Sequence, residues 1–405
     1  MRVALIDVNC KFSSTGKIVY DLYTQLLKDG HEAAILYGRG PLVRETNIHR
    51  ISPKWEVNVH AGLARITGLN GYFSFIATRR FISYLKKFKP DVVHCHQLHG
   101  YYVNIYQVIK YLEKNNCKVV WTLHSEYMYT GKCGYAFECE KWKSKCGNCP
   151  QLRAYPKSFF MDFTSFMLKQ KNKYLSKLNS IIYVTPAEVY ANRVRASFLK
   201  GSKITAINNG IDINVFYPRN IDGLRKRLMV SDRKVILSIG NNLMSDIKGG
   251  RWILKLADEL KDTPITFIMV GVTNISELPK LDNVKYYPLI EDQNEIAEFY
   301  SLADITLIPS RRETYSMPVV ESLSCGTPVV GFKAGAPETI AIPEYSKFVE
   351  YGDIYNLKDT LISMLEFKQN LDENEIYIKA HSKYSKENMY KNYLEKYNEL
   401  LNNIN

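Results

Sequence analysis

Short apolar runs alternate with amphipathic stretches along almost the whole chain, and this alternation constrains the fold more than any other feature. The runs typical of buried strands form two series, 2–8, 32–37, 91–95, 118–124, 180–185 and 203–208, then 235–240, 265–271, 284–288, 304–309, 328–332 and 347–350. Helix-like patterns lie between several of them, as at 17–29, 249–261 and 292–302. Such alternation predicts an α/β fold with parallel sheets covered on both faces.

Two series of strands predict two domains, which suits a chain of 405 residues. We place the seam in the polar stretch 211–227 and predict two Rossmann-like, doubly wound domains that face a cleft. The amino-terminal domain would comprise residues 1–212 and 386–405, and the carboxyl-terminal domain residues 213–385. The last predicted helix, 386–402, carries an apolar stripe that needs a surface to cover: Tyr390, Tyr393, Leu394, Tyr397 and Leu400.

The charge is unevenly distributed. The net charge is +13, yet residues 1–178 hold 27 Lys and Arg against 12 Asp and Glu, whereas residues 179–405 hold 27 against 29. A basic half favours an acidic substrate, an anionic lipid surface or nucleic acid, although a solubility charge without a partner is the simpler alternative. Aromatic and basic residues do not interleave as in a nucleic-acid module, so we expect no nucleic-acid partner.

The amino terminus and the hydropathy predict a cytoplasmic protein. No run of about 18 apolar residues indicates a membrane span. The opening MRVALIDV is typical of a first strand rather than of a signal peptide. The eight cysteines are therefore expected to be reduced thiols or metal ligands rather than disulfides.

Two glutamates, Glu313 and Glu321, flank a loop-like start of a predicted helix at 317–325. Pro318 suits the first turn of that helix, and Ser316 could cap it, which would place Glu321 in the first turn. Acids at a helix start are favourable with the helix dipole, and this is the simpler interpretation. Alternatively, they accept hydrogen bonds from ligand hydroxyls on either side of phosphates that meet the helix amides.

The sequence around these glutamates resembles the family-four glycosyltransferases. Residues 288–340 resemble the nucleotide-sugar block of that family, with a glutamate, seven residues, a second glutamate and then Gly-Thr-Pro-Val-Val. Residues 208–218 resemble the hinge segment, 236–250 the phosphate loop and 13–32 the acceptor-side glycine loop with the first helix. The resemblance implies the GT-B fold, with a last helix that crosses back to the first domain, and retaining transfer.

The resemblance also implies roles for individual side chains. Glu321 should bind the ribose hydroxyls of the donor, and Glu313 the hydroxyls of the transferred sugar. Lys248 should neutralise the departing diphosphate. His124 should face the reacting sugar, and Gly16 should let the first loop approach the donor closely. The predicted catalytic residues are thus His124, Lys248 and Glu313.

Backbone groups complete the implied donor site. The amides of Tyr315, Ser316 and Met317 should meet the diphosphate, and the backbone at Pro288 and Leu289 should lie near the base. Ser316 stands where the family commonly has glycine.

One further donor-site position departs from the family. Asn242 belongs to the predicted donor set, but the family often has an arginine there. One cation is then missing unless Arg251, Arg311 or Arg312 replaces it.

The chemistry needs stabilisation of a leaving group that develops negative charge, which a lysine and a helix N-terminus supply. No two aspartates stand in the Asp-x-Asp pattern of metal-dependent transferases, so we predict metal-independent transfer. The resemblance implies that the acceptor hydroxyl attacks the face from which the diphosphate leaves, and that a phosphate oxygen takes its proton.

A cysteine-rich loop at 133–149 is a candidate metal site. Four thiols lie within it, with one Cys-x-x-Cys pair: Cys133, Cys139, Cys146 and Cys149. This set fits a tetrahedral structural zinc, although the other spacings are looser than in usual zinc fingers. Reduced or disulfide-paired thiols are the alternative. A similar insertion followed by Tyr-Pro-Lys-Ser occurs in family members of bacterial exopolysaccharide and O-antigen assembly.

Two other segments have alternative interpretations. His94, His96 and His99 could hold a metal, but we favour one or two of them at the carboxyl end of a strand with the rest packed. The basic, aromatic stretch 71–89 could be a core helix with a solvated face or could dock on an anionic membrane.

We therefore predict an enzyme that moves a hexose-type sugar from a nucleotide-diphosphate sugar to a glycan acceptor that is lipid-linked. The pathway would be bacterial surface polysaccharide biosynthesis, such as capsule or lipopolysaccharide, at the inner face of the membrane. The alternatives are a nucleotide-sugar epimerase of the same fold, or a basic membrane- or nucleic-acid-binding protein with a vestigial site.

Overall fold

The computed structural model describes residues 1–368 and 371–402. The chain forms two compact units, the first made of Met1–Ile207 and the residues from Tyr390 onward, the second of Asn208–Met389. The predicted domain boundaries lie close to these in sequence, and the last three residues of the predicted first domain fall outside the described residues. Which unit binds donor and which binds acceptor stays a prediction.

The first unit contains a parallel sheet. Its strands are β1 (Arg2–Asp7), β2 (Glu32–Tyr37), β3 (Ile48–Arg50), β4 (Val92–Cys95), β5 (Val119–Thr122), β6 (Ile181–Thr185) and β7 (Lys203–Ala206). In the described residues these seven strands stand in the order β3-β2-β1-β4-β5-β6-β7, all parallel. Strand β3 was not predicted, because it is short and buries only Ile48.

Helices connect these strands. They are α1 (Ser13–Lys28), α2 (Lys54–Thr67), α3 (Phe75–Phe88), α4 (Ile105–Lys114), α5 (Thr164–Leu175) and α6 (Glu188–Arg195). Short 3-10 turns lie at Glu126–Tyr129 and Lys141–Lys143. Strands β1 and β4–β6 are buried along their whole length or nearly so, as expected for a sheet covered on both faces.

The second unit repeats the plan with a smaller sheet. Its strands are β8 (Lys234–Ile239), β9 (Ile265–Val270), β10 (Val284–Tyr287), β11 (Ile305–Ile308), β12 (Val329–Phe332) and β13 (Ser346–Val349). Among the described residues these six stand in the order β10-β9-β8-β11-β12-β13, all parallel. The predicted α/β fold with two parallel sheets is therefore confirmed.

The remaining helices include the last one. They are α7 (Asp222–Arg227), α8 (Gly250–Glu259), α9 (Gln293–Leu302), α10 (Met317–Ser324), α11 (Pro337–Ile340), α12 (Ile354–Lys368), α13 (Glu373–Tyr384) and α14 (Lys386–Asn402). Two 3-10 turns lie at Ile275–Glu277 and Pro343–Tyr345. Among the described residues, every helix is too short or too polar to span a bilayer.

Helix α14 begins in the second unit, and from Tyr390 onward it belongs to the first. Its predicted stripe is largely buried there, with Tyr393 and Tyr397 fully enclosed. The Tyr393 hydroxyl lies 3.0 Å from the Thr122 hydroxyl, at the end of β5. The sequence stripe thus covers part of the core of the first unit.

Candidate active site

In the second unit, the loops that follow β8, β11 and β12 meet at the carboxyl end of the sheet. These strands are neighbours, and the strand order reverses between β8 and β11, where open α/β sheets bind ligands. The amide of Arg311 donates to the Ile247 carbonyl at 2.8 Å, and the amide of Glu313 donates to the Ala334 carbonyl at 2.9 Å. Backbone hydrogen bonds therefore fix the three loops against one another.

Gly249 lets the first of these loops lie against the second. Its φ is +75°, and a Cβ there would stand 2.1 Å from the Pro309 carbonyl oxygen. Any other residue would push the loop away and displace the adjacent Lys248. A glycine after Lys248 is thus required for the close contact between the loop after β8 and the loop after β11.

Lys248 and Glu313, two of the predicted site residues, are in direct contact. The Lys248 Nζ lies 2.6 Å from Glu313 Oε1, and the Ser310 hydroxyl donates to the same oxygen at 2.8 Å. The side chains are 26% and 11% exposed, so the ion pair is partly shielded from water and still open to a ligand. Ser310 was not predicted as a site residue, although its place directly after a strand is the signal that could have found it.

Glu338 braces the third loop. Its carboxylate accepts from the amides of Ala334 and Gly335, each at 2.9 Å. Those two residues pair in turn with the backbone of Glu313. The sequence analysis did not single out Glu338, because a glutamate after proline in a four-residue helix gives no signal of its own.

Helix α10 begins next to this cluster. Pro318 lies in its first turn, as predicted, and the first amides of a helix have no acceptor within it. The prediction that Ser316 caps the helix through its side chain is wrong. Ser316 occupies the N-cap position without a capping hydrogen bond, and its buried hydroxyl has no partner among the described residues.

Glu321 lies deeper in α10 than predicted. The first turn contains no acidic residue, because the helix begins at Met317 and Glu321 is its fifth residue. The Tyr300 hydroxyl of α9 donates to Glu321 Oε2 at 3.0 Å. Burial and the neighbouring carboxylate raise the pKa of Tyr300 well above its usual value, so it remains a donor. Tyr300 was missed because nothing in the sequence pairs it with Glu321.

The other predicted donor-site residues have varied surroundings. Tyr315 is buried, and its hydroxyl donates to the Asn209 carbonyl at 2.9 Å. Asn242 is exposed with a left-handed φ of 53°, and Pro288 and Leu289 are exposed after β10. Their roles toward a donor stay predictions.

In the first unit, Asp7 ends β1 as a buried acid. Its carboxylate accepts from the Asn9 amide at 3.1 Å, the Thr15 hydroxyl at 3.0 Å and the Gln97 amide at 3.1 Å. Burial raises the pKa of Asp7 to about 6 despite these donors. Asp7 was not predicted as a site residue, and it fastens the loop after β1 to the start of α1 and to the loop after β4.

Gly16 lies within α1, close to that loop. A Cβ at Gly16 would lie 3.2 Å from the Asn9 carbonyl carbon, and the Lys11 amide donates to the Gly16 carbonyl at 3.1 Å. The missing side chain therefore allows a close approach of helix and loop. Whether a donor uses this approach stays a prediction.

His124 belongs to a buried row of imidazoles. Its Nε2 lies 2.9 Å from His96 Nδ1, and the ring centroid of His96 lies 4.1 Å from that of His94. The two nitrogens of His94 contact the hydroxyls of Tyr397 at 2.7 Å and Thr122 at 2.8 Å. Burial lowers the pKa of His124 to about 4 and lowers the pKa of His96 and of His94 well below the usual value, so the row is neutral near pH 7.

The histidines and cysteines do not form a ready metal site. In the part of the chain that the structure describes, no group of three or more His, Cys, Asp or Glu side chains is placed to hold a metal ion. His99 packs instead against the ring of Tyr127, with centroids 4.9 Å apart. All eight cysteines are free thiols.

The predicted basic helix corresponds to α3. Its core face comprises Ala77, Thr78, Phe81 and Leu85. Its exposed residues include five cations in and just after the helix: Arg79, Arg80, Lys86, Lys87 and Lys89. A core helix with a solvated basic face describes this element, and a membrane role stays a prediction.

Two family models match the chain. The family described as "Glycosyltransferase Family 4" matches residues 15–215, and that described as "Glycosyl transferases group 1" matches residues 233–366. A putative colanic acid biosynthesis glycosyl transferase, WcaC of Escherichia coli K12, is 23% identical over 88% of this chain and 89% of its own length. The epimerase alternative has no support from these matches.

Solved structures share the fold over the full length. Sucrose-phosphate synthase from Thermosynechococcus elongatus superposes with a TM-score of 0.71 at 16% identity, covering 99% of both chains. Anabaena HepE in complex with UDP-glucose gives 0.65 at 14% identity, covering 98% of this chain and all of that one. The lipopolysaccharide outer core galactosyltransferase WaaB gives 0.62 at 12% identity, covering 98% and 99%.

Proposed function

We propose that this chain, which belongs to the family-four glycosyltransferases and has their GT-B fold, moves a hexose-type sugar from a nucleotide-diphosphate sugar to a glycan acceptor. The observation that carries the proposal is the contact between Lys248 and Glu313 at the point where the strand order reverses. It places a cation and a hydroxyl-binding acid side by side, as a sugar diphosphate requires. A vestigial site does not explain why three loops converge on this pair.

Lys248 is proposed to exchange partners when the donor binds. Its Nζ would turn from Glu313 to the diphosphate, where negative charge develops as the sugar leaves. Glu313 would then accept hydrogen bonds from hydroxyls of the transferred sugar. At the start of α10, the helix dipole and the backbone amides of Tyr315, Ser316 and Met317 would bind the phosphates.

Glu321 is proposed to bind the two ribose hydroxyls. The hydrogen bond from Tyr300 fixes the orientation of the carboxylate from α9, so its geometry is set before the donor arrives. Pro288 and Leu289 would contact the base. Exposure of the loop that contains them supports a ligand contact there.

Transfer is proposed to be metal-independent and retaining. Lys248 and the helix start supply the charge that an Asp-x-Asp metal would supply elsewhere. The acceptor hydroxyl would attack the face that the diphosphate leaves, and a phosphate oxygen would take its proton. His124, as a neutral imidazole, would hydrogen-bond the reacting sugar without adding charge.

The pathway proposed is bacterial surface polysaccharide assembly, as lipopolysaccharide or capsule, in the cytoplasm at the inner face of the membrane. The names of two similar proteins support it, one a colanic acid transferase and the other a lipopolysaccharide core transferase. The Anabaena structures contain UDP or UDP-glucose, which supports a nucleotide-sugar donor.

A panel of nucleotide sugars tests the donor. A true donor at a hundred times its dissociation constant should raise the free energy of unfolding by about 2.7 kcal/mol, which a thermal shift detects. NMR of the transferred product then gives the anomeric configuration. Absence of a shift with every nucleotide sugar and nucleoside diphosphate would end the proposal, and an inverted product would end its retaining part.

A membrane surface is proposed in the first unit, where a lipid-linked acceptor would be met. Helix α2 exposes an apolar stripe of Trp55, Val59, Leu63 and Ile66, with Trp55 58% exposed. The loop at 159–161 continues it, with Phe160 75% exposed, and the Phe159 amide donates to the carbonyl of Arg65 in α2. Aromatic and aliphatic residues exposed together suit an interface rather than water.

Charge supports an anionic lipid bilayer as the occupant. Exposed cations accompany this apolar surface on the same segments, with Lys54 and Arg65 on α2 and Lys157 just before the 159–161 loop, and α3 adds exposed Arg79 and Arg80 in the same unit. Each basic group near an anionic bilayer contributes about 1 kcal/mol. Apolar insertion and charge attraction would thus act together.

Sedimentation with anionic vesicles tests this surface. The double variant Trp55→Ser, Phe160→Ser should lose most vesicle binding at low salt. A control pair on the second unit, Tyr355→Ser and Ile378→Ser, removes equally exposed apolar groups and should bind as wild type. Equal binding by both double variants, or no binding by the wild type, contradicts the proposal.

A further inference from the structure

The four cysteines of the 133–149 loop surround a single small cavity in the first unit. Cys133, Cys139, Cys146 and Cys149 all line it, and its free volume is about 10 Å³. That space is at the lower limit for one water molecule, which suits a single ion.

The backbone approaches one of the sulfurs closely. A Cβ at Gly131 would stand 3.0 Å from the Cys146 sulfur. The missing side chain therefore leaves room for the thiol beside the chain.

Lys132 places one buried cation beside this cavity. The residue is 2% exposed, and its Nζ donates to three carbonyls, of Gln151, Leu152 and Ala154. The three acceptors match the three N–H groups of an ammonium.

Lys171, on α5, is a second buried lysine beside this loop. It is fully buried, and its Nζ donates to the carbonyls of Tyr127, Thr130 and Gly131. These acceptors are again neutral. Of the acids at this loop, Glu126 pairs with Arg193, and Asp162 is exposed and accepts from the Cys149 amide.

Two buried lysines that donate to neutral carbonyls, one of them also lying over the Tyr127 ring, favour a negatively charged group nearby. We propose that Cys133, Cys139, Cys146 and Cys149 bind one structural zinc ion, and that Lys132 and Lys171 balance its charge. Four thiolates around Zn²⁺ carry a net charge of −2, which equals the two ammonium charges in magnitude. Among the described residues the four sulfurs are not yet placed as metal ligands, so binding would remove their thiol protons and draw them to about 2.3 Å from the metal.

The site would brace the loop that follows His124. Zinc at this position fixes the chain between β5 and α5, which also includes the partly exposed 159–161 segment of the apolar surface. Its role is structural, because four protein sulfurs leave no open position for a substrate. The inference is independent of the proposed transfer reaction.

Metal analysis of the purified full-length chain tests the site. We expect about one zinc per chain, and none in Cys139→Ser or Cys149→Ser. Cys117→Ser, in the same unit but remote in sequence, should keep its zinc. Cobalt substitution should give the thiolate-to-metal absorption of tetrahedral sulfur ligation. A metal-free chain with four reactive thiols, or with disulfides detected by mass spectrometry, overturns the proposal.

A second pair of variants tests the charge balance. Lys171→Met should release zinc to a chelator at least tenfold faster than wild type, because the cluster loses one counter-ion. Lys169→Met changes an exposed lysine of the same helix and should release zinc at the wild-type rate. Equal release rates in the two variants would overturn the role of the lysine, even if zinc is present.

Discussion

The carboxyl ends of the two sheets carry opposite kinds of polar cluster. In the second unit Glu313 faces an ammonium, whereas in the first unit His124 faces another imidazole. Both residues are 8% exposed, so depth does not explain the difference. The partner decides whether a buried polar group carries charge, and only the charged cluster suits a diphosphate.

Removing the ammonium group of Lys248, which distinguishes the cluster of the second unit from that of the first, should have the largest effect on activity. Lys248→Ala should lower kcat by about 10²–10³-fold, the range for loss of one group that stabilises developing charge. The melting temperature should change little. Lys255→Ala, an exposed lysine of α8, is the matched control and should keep full activity. Steady-state kinetics decide, and a fully active Lys248→Ala would refute the proposed role.

Neutralising Glu313 should lower activity less than removing Lys248 does. Glu313→Gln keeps an acceptor but removes the charge, and loss of a charged hydrogen bond costs about 1.5–3 kcal/mol, or roughly 10- to 100-fold in kcat/KM. Glu344→Gln, exposed in the same unit, should be unchanged. If Glu313→Gln loses the same factor in kcat/KM for donors whose sugars differ in their hydroxyls, Glu313 does not bind the hydroxyls of the transferred sugar.

Acid should destabilise the first unit more than the second. Seven of the eight histidines lie in the first unit. Burial lowers the pKa of His60 and His124 to about 4 from 6.5, so only the unfolded chain takes up their protons as pH falls between those values. Each then costs about 2 kcal/mol of stability at pH 5.

Asp7 acts in the opposite sense. Its pKa is raised to about 6 from 3.8, so its contribution is full below 3.8 and is lost as pH rises through 6. One acid does not offset the histidines. Hydrogen exchange at pH 7.5 and pH 5 should show lower protection at pH 5 in peptides of the first unit. Equal protection changes in both units would contradict this prediction.

The smallest effect is expected from Tyr300. Tyr300→Phe removes one hydrogen bond to Glu321, worth about 0.5–1.5 kcal/mol, and should weaken donor affinity by roughly two- to tenfold. Titration calorimetry with the nucleoside diphosphate measures it, and Tyr355→Phe at the surface is the control. An unchanged affinity would mean that the hydrogen bond from Tyr300 is not required to orient the Glu321 carboxylate for donor binding.

The strands, and the presence of Lys248 and Glu313 in one site, could be predicted from the sequence. The residues that support this site, Tyr300 and Glu338, could not. Apolar runs locate strands because both faces of a parallel sheet are buried. Residues in the loops that follow neighbouring parallel strands converge by topology, as Lys248 after β8 and Glu313 after β11 do. Tyr300 and Glu338 act through contacts between helices and loops that no spacing encodes.

The two errors at α10 do not come from a misplaced helix start, since the helix begins at residue 317 as predicted. Glu321 is the fifth residue and lies just beyond the first turn, where its carboxylate meets Tyr300. Ser316 occupies the N-cap position, but its side chain makes no capping hydrogen bond, and a residue type in a sequence does not fix that local geometry. The buried histidine row depends on Tyr397, about 300 residues away in sequence, so no local pattern could show it.

Helix α14 has a practical consequence for anyone who divides this protein. The chain leaves the first unit after Ile207 and returns to it at Tyr390, so a polypeptide ending at residue 207 lacks Tyr393 and Tyr397. His94 and Thr122 would then lose buried partners and face water or each other. The first unit is therefore built from two separate segments of the sequence, and only a chain that includes the last helix contains both of them.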